Sequence, residues 1–178
     1  MKILVASDIH GSAHYMREIA ARVDSESADL LVLLGDVFNH GPRNPFPTDY
    51  APMQVADILN GMKERLVVIQ GNCDSAVDQM VAEFHFVESA LLLVGQKRVY
   101  CTHGHVFDKD HLPQLAQGDV LLYGHYHTVL CQEVDGVLCM NPGSVSLPKD
   151  ENRAYILLSE DGAQIKTLDG EIIHKISW

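Results

Sequence analysis

Residues 30–36 read Leu-Leu-Val-Leu-Leu-Gly-Asp, five apolar residues without interruption followed by a glycine and a carboxylate. A strand with one wet face alternates apolar and polar residues, so an unbroken run predicts a parallel strand covered on both sides. Working outward, residues 2–6 read as a second buried strand. Between the two, Tyr15, Ile19 and Val23 recur every four residues behind Ser12, a residue type that caps helices. Downstream, the breaker-rich loop Asn39-His40-Gly41-Pro42-Arg43-Asn44-Pro45 leads into a helix with Val55, Ile58, Leu59 and Met62 on one face, then a strand at 66–69. Strands joined by crossover helices specify an α/β fold.

Beyond Gln79 the strands follow one another through tight turns. Residues 91–94 and 98–102 flank Gly95-Gln96 as a hairpin, 120–123 is another buried run, and 129–134 pairs with 137–140 across Asp135-Gly136. The stretches 154–158, 164–168 and 171–176, punctuated by Asp161-Gly162 and Asp169-Gly170, form an antiparallel meander. No linker, repeat or low-complexity stretch interrupts this pattern. The expectation is one domain, residues 1–178, built of two packed sheets with helices outside.

Composition narrows the function. With 178 residues, 47% of them hydrophobic, the chain has material for a sizeable core, which excludes a disordered tail or a disulfide-stapled miniprotein. Cys73, Cys101, Cys131 and Cys139 contain no CxxC pair and read as reduced thiols. The apolar run at 3–6 stops at Ser7-Asp8, and no stretch approaches the roughly 18–20 apolar residues of a membrane span, so a cytoplasmic protein with no membrane partner is expected. The net charge of −11 repels polyanions, and no basic stripe or aromatic platform is present, so no strong nucleic-acid binding is expected. Yet the same acidic chain holds 10 histidines, and His with Asp is the ligand vocabulary of divalent metals.

The polar residues sit where such ligands are useful. The strand runs lead into Asp8-Ile9-His10, Gly35-Asp36, Gly71-Asn72-Cys73-Asp74, His103-Gly104-His105 and Gly124-His125-Tyr126-His127. Carboxyl ends of strands form the ligand crevice of an α/β sheet, so the five segments converge on one site. Each alone has an ordinary reading as a turn or a surface pair; five together in one short chain point to metal. On an extended backbone, residues two apart face the same side, so Asp8 with His10 and His125 with His127 would each serve one cluster. Mixed oxygen and nitrogen donors without a required thiolate suit Mn, Fe or Zn. Seven ligands, Asp8, His10, Asp36, Asn72, His103, His125 and His127, exceed the needs of one ion. Two ions roughly 3.5–4 Å apart would use them all and leave room for a shared hydroxide.

The order DxH, GD, GNxD, HGH and GHxH resembles that of the calcineurin-like metallophosphoesterase superfamily. The stretches SDIHGS, LGDVFNHGPRNP, GNCDS, THGH and NPGSVSLPK are similar to those of the bacterial YfcE-type phosphodiesterases, over residues 2 to about 149. The resemblance implies one ion on Asp8, His10, Asp36 and His127 and another on Asp36, Asn72, His103 and His125, with Asp36 as the bridge. It also implies a four-layer α/β/β/α sandwich of two mixed sheets flanked by helices, homo-oligomers, and manganese as the usual metal, with Zn, Fe, Ni or Mg as alternatives. The activity implied is a metal-dependent phosphodiesterase hydrolysing small phosphodiesters by attack of a hydroxide bridging the two ions, which Asp36, Asn72 and His103 help to hold.

Around this set, Cys73, His105 and His40 are candidates for the acid that protonates the leaving group, Asp74 is a supporting residue, and Asn39 and Arg43 are candidates for substrate contact. Many superfamily members have His where Cys73 stands. Beside two cations a thiol is biased toward thiolate, a poor proton donor, so Cys73 reads as a packing residue ahead of an acid. Two alternatives remain open at this level. A phosphomonoesterase or nucleotidase would want more cationic contacts for a dianion than Arg43 provides, and a non-catalytic protein-binding scaffold is known on this fold.

Overall fold

The computed structural model describes residues 1–178. The first sheet-and-helix unit comprises β1 (Ile3–Ala6), α1 (Ala13–Ser25), β2 (Leu30–Leu33), α2 (Pro52–Asn60), β3 (Leu66–Ile69) and β4 (Phe86–Val87). It is followed by β5 (Ala90–Val94), β6 (Lys97–Cys101), β7 (Val120–Leu122), β8 (Val129–Val134) and β9 (Val137–Pro142), and then by the meander β10 (Ala154–Ser159), β11 (Gly162–Thr167) and β12 (Ile172–Ser177). Two mixed sheets result, of seven strands in the order β12-β11-β10-β1-β2-β3-β4 and of five in the order β5-β6-β7-β9-β8. Within them β1 to β4 are mutually parallel, as are β6, β7 and β9.

The unbroken apolar runs are explained by two buried faces. On β1 and β2, Leu4, Ala6, Leu31 and Leu33 pack against Ala13, Met16, Ile19 and Val23 of α1 and Val55 and Leu59 of α2. The alternate residues Ile3, Val5 and Val32 meet Val99, Val120, Leu122 and Met140 of the other sheet, joined by Ile156 and Ile165 of the meander. Ser12 caps α1 by accepting the Tyr15 N–H at 3.3 Å. Tyr15 itself is only half-buried, and Met16 occupies the stripe, because a 3.6-residue turn carries the apolar face off a strict four-residue spacing.

The expected two-sheet sandwich is present, but both α-helices lie on one face of the seven-stranded sheet. The outer face of the five-stranded sheet, with Leu121, Tyr123, Val137 and Cys139, is covered by Leu112 and Leu115 from an irregular segment between β6 and β7, where a flanking helix was expected. Local bonding competes with helix there: the Asp108 carboxylate accepts the N–H groups of Asp110 and His111, each at 2.8 Å, and Pro113 and Gly118 interrupt the remainder. Strand β4 and the 3-10 turns at Lys63–Arg65 and Ala76–Met80 carry no periodicity long enough to be read from sequence.

Ile156 is fully buried between the sheets. Replacing it with alanine leaves a cavity in the only layer the two sheets share, and Ile156→Ala is expected to cost about 3 kcal/mol in urea unfolding of the metal-free protein.

Candidate metal centre

The parallel strands deliver their carboxyl ends to one edge of the sandwich, and the backbone turns sharply there. Eight non-glycine residues have left-handed φ, and five of them are Asp8 (+56°), His10 (+50°), Asp36 (+53°), His125 (+67°) and His127 (+61°). Such conformations cost about 1–3 kcal/mol each and persist where the surroundings enforce them. Two glycines make the close approach possible: a Cβ on Gly71 would collide with the backbone nitrogen and Oδ1 of Asp36, and one on Gly124 with Ser7 and Asp8. The expected extended geometry of the two-residue spacings is therefore absent. Asp8 and His10 still share one cluster, whereas His125 and His127 separate, His127 toward Asp8 and His10, and His125 toward His103.

Donor atoms meet at the centre with little to satisfy them. Nδ1 of His10, His103 and His127 donates to the carbonyls of Asn39 (2.8 Å), Leu34 (2.7 Å) and Leu147 (2.7 Å). Since a carbonyl only accepts, each neutral ring directs an Nε2 lone pair inward. His10 Nε2 and His127 Nε2 stand 3.1 Å apart, and Asp8 Oδ1, buried and without a hydrogen-bond partner, lies 3.5 and 3.2 Å from them. His103 Nε2 is 3.1 Å from Asn72 Oδ1 and 3.4 Å from Asp36 Oδ1, while Asp36 Oδ2 is 3.7 Å from His10 Nε2. Asp36 thus reaches both halves. Lone pairs facing lone pairs in a buried place call for a cation, and these residues fit divalent metal.

Without metal, protons answer the same demand. Burial opposes charge on every member, but the neighbouring imidazoles of His10 and His127 hold Asp8 far below the usual carboxylate range, and His103 lowers Asp36. Burial would lower His103, yet its hydrogen bond to Asp36 and the charges of Asp8 and Asp36 push it up to about 9. His125, half-buried beside it, is lowered by burial and by the His103 charge.

The neighbouring candidates separate by position. The Asp74 carboxylate accepts the N–H groups of Asp36, Val37 and Gly71, each at 2.8 Å, and so fixes the turn that carries Asp36. Burial pushes the Asp74 carboxyl up to about 6 despite those bonds. Cys73 packs against Gly41 and accepts from the Asn72 amide at 3.3 Å; burial and Asp36 push its thiol up to about 12. His40 packs against Phe46 in a tilted contact and meets Tyr50 edge-on, with Nδ1 buried and unpartnered. Asn39 serves His10 through its carbonyl and folds its side-chain oxygen onto the Gly41 N–H at 2.8 Å.

A cavity of about 750 Å³ opens over the centre, lined by Asp36, Asn39, Asn72, His125 and His127, with Arg43 and Lys149 as its cations. His105 faces a second cavity, described below. Sequence reasoning missed Lys149, and it missed Ser144 and Ser146, whose hydroxyls donate to the Asp8 carbonyl at 2.7 and 2.9 Å. It also missed Ser7, which donates to Asp8 Oδ2 at 2.6 Å. The only trace of the two later serines is their presence in the stretch NPGSVSLPK.

Comparison with known proteins returns one consistent group. The profile of the calcineurin-like phosphoesterase superfamily domain matches residues 1–162. Phosphodiesterase YfcE of Escherichia coli K12 is 42% identical over 175 residues, covering 97% of this chain and 95% of that protein. The solved structure of E. coli YfcE, described as a phosphoesterase, superposes with a TM-score of 0.95 at 40% identity over 99% of both chains. Zinc-complexed Vps29 from Entamoeba histolytica shares the fold alone, with a TM-score of 0.64 at 20% identity over 99% of both chains.

Two outcomes follow from this geometry. Asp74→Ala strands three buried N–H groups at about 1–3 kcal/mol each, and is expected to lower the melting temperature by about 6 °C or more in differential scanning calorimetry, with Asp74→Asn intermediate. A histidine whose folded pKa is raised contributes stability that is complete below its unfolded pKa, about 6.5, and is lost as pH rises through its folded pKa. Metal-free protein is therefore expected to lose thermal stability between about pH 6.5 and about 9 through His103, and added Mn²⁺ to flatten that decline.

Proposed function

This chain belongs to the calcineurin-like phosphoesterase superfamily, and from that premise we propose that the cluster beneath Arg43 and Lys149 is the active centre of a phosphodiesterase. The chain is a phosphoric diester hydrolase that works with divalent metal. The observation that carries the reading is the set of imidazole Nε2 atoms turned inward around Asp8 Oδ1, a buried carboxylate oxygen with no hydrogen-bond partner. We assign one ion to Asp8, His10, Asp36 and His127 and the other to Asp36, Asn72, His103 and His125. When bound, two such ions supply Lewis acidity toward the phosphoryl oxygens and make water a nucleophile near neutral pH.

The chain's own residues do the rest. Carbonyls 34, 39 and 147 lock three imidazole tautomers so that the donor set needs no rearrangement. Asp74 holds the loop of Asp36. Arg43 and Lys149, which line the larger cavity with Asn39, would meet the non-bridging oxygens of a phosphate held there. Of the acid candidates, His105 borders open space beside the centre, while His40 is engaged with Phe46 and Tyr50, and the Cys73 thiol, on the wall of the larger cavity, is pushed up to about 12 by burial and Asp36. We therefore favour His105 for the leaving group.

The finer readings rest on chemistry and placement. Manganese suits the mixed oxygen and nitrogen donors. A small substrate suits a chain of net charge −11 whose two cavity cations are Arg43 and Lys149, and the same charge disfavours nucleic acid. We read residues 1–178 as one domain because Ile156 and Ile165 near the C-terminus belong to the layer shared with β1 and β2. We read it as a homo-oligomer because β5 is an unpaired edge with Leu91 and Leu93 exposed. No helix is long and apolar enough to cross a membrane, and we read the protein as cytoplasmic.

Manganese-loaded protein is expected to hydrolyse bis(p-nitrophenyl) phosphate at least about tenfold faster than p-nitrophenyl phosphate, and EDTA treatment to abolish both. Asp36→Asn and His125→Ala are each expected to lower metal content and to cut the rate about a hundredfold. Unchanged metal content and rate in both variants would leave a scaffold as the better reading.

A further inference from the structure

The strand ends open on a second cavity, of about 420 Å³, lined by Gln70, Glu88, Tyr100, Thr102, His105 and Phe107. It borders the first. Gly71 lines the second cavity and the adjoining Asn72 lines the first, while His105 of the second and His125 of the first have ring centroids 6.3 Å apart. Its walls are built from both sheets. Gln70 follows β3 and is pinned by its N–H to the Val87 carbonyl at 2.8 Å, Glu88 lies in the short link that carries the chain from β4 to β5, and Tyr100 is on β6.

The two cavities differ in charge. The first holds Arg43 and Lys149. The second has no lysine or arginine among its residues, and its one carboxylate, Glu88, is exposed and takes part in none of the protein's ion pairs. A carboxylate that shares a cavity with a tyrosine and a phenylalanine is a combination that recognises an ammonium group, with charge from one and ring-face attraction from the others. The same wall repels a second phosphate or a carboxylate.

A phosphodiester has two alcohol substituents on one phosphorus, and a phosphorus held at the boundary of the cavities sends one into each. We infer that the second cavity is the subsite for an alkylammonium substituent, so that phosphodiesters of amino alcohols are the substrate class. The inference rests on the phosphodiesterase reading. It also removes the conflict between an acidic protein and a phosphate substrate, since an ammonium-bearing diester is a zwitterion with no net charge for the surface to repel.

The test compares two diesters with the same leaving group and the same shape, p-nitrophenyl phosphorylcholine and its uncharged isostere p-nitrophenyl 3,3-dimethylbutyl phosphate, on manganese-loaded protein. The expected preference for the choline ester is about five- to tenfold in kcat/KM. Glu88→Gln is expected to bring that ratio to near one, and Tyr100→Leu to reduce it. Choline alone is expected to shift the ring resonances of Tyr100 and Phe107 in metal-free wild type and to leave them unmoved in Glu88→Gln. A wild-type ratio near one, or a ratio that survives Glu88→Gln, overturns the inference while hydrolysis of bis(p-nitrophenyl) phosphate keeps the phosphodiesterase reading intact. Turnover of none of the three diesters overturns both.

Discussion

Asp8 and Asp36 are buried side by side with three imidazole nitrogens whose protons are committed elsewhere, and the remainder of the molecule is arranged to hold that arrangement. Burying two carboxylates together is costly unless positive charge accompanies them. The chain supplies protonated His103 when metal is absent, and the donor geometry suits divalent cations when it is present. A polar pit of this kind collapses unless rigid elements surround it. Here the parallel strands of both sheets end at its rim, and their inward faces form the shared apolar layer.

Backbone hydrogen bonds transmit that rigidity to the donors. Asp74 ties together the turns after β2 and β3, Ser144 and Ser146 hold the carbonyl of Asp8 from the opposite sheet, and the Asn141 amide donates to the Gly124 carbonyl at 2.7 Å beside His125. These contacts offset the left-handed conformations of five ligand-type residues. Stability and function are thus coupled through the same atoms. Loss of the Asp74 carboxylate would release the turn that carries Asp36.

Electrostatics acts on two scales. The net charge of −11 belongs to the surface and limits approach of extended polyanions, while Arg43, Lys149 and the cation demand of the centre act within one cavity. Glu88 returns acidic character to the neighbouring cavity. On the proposed reading, the sorting of charge between the two spaces, more than the total, sets which phosphodiester substituents are accepted.

Much of this was legible in the chain. The unbroken runs specified parallel strands because two buried faces leave no polar alternation, and the ligand-type residues at their ends identified a site because parallel strands share a carboxyl edge. The fourth layer was not, since the Asp108 turn replaces a helix through side-chain bonds that have no periodicity. The parting of His125 from His127 was implied by the family resemblance alone, against the two-residue spacing, because left-handed backbone at both residues breaks the extended geometry that the spacing assumes. Sequence by itself therefore determined which donor chemistries are present and that they gather at one edge. Only the tertiary structure decided which lone pairs face one another, that Lys149 joins Arg43, and that Glu88 borders a separate cavity, because those relations connect segments whose separation along the chain carries no information about their distance in space.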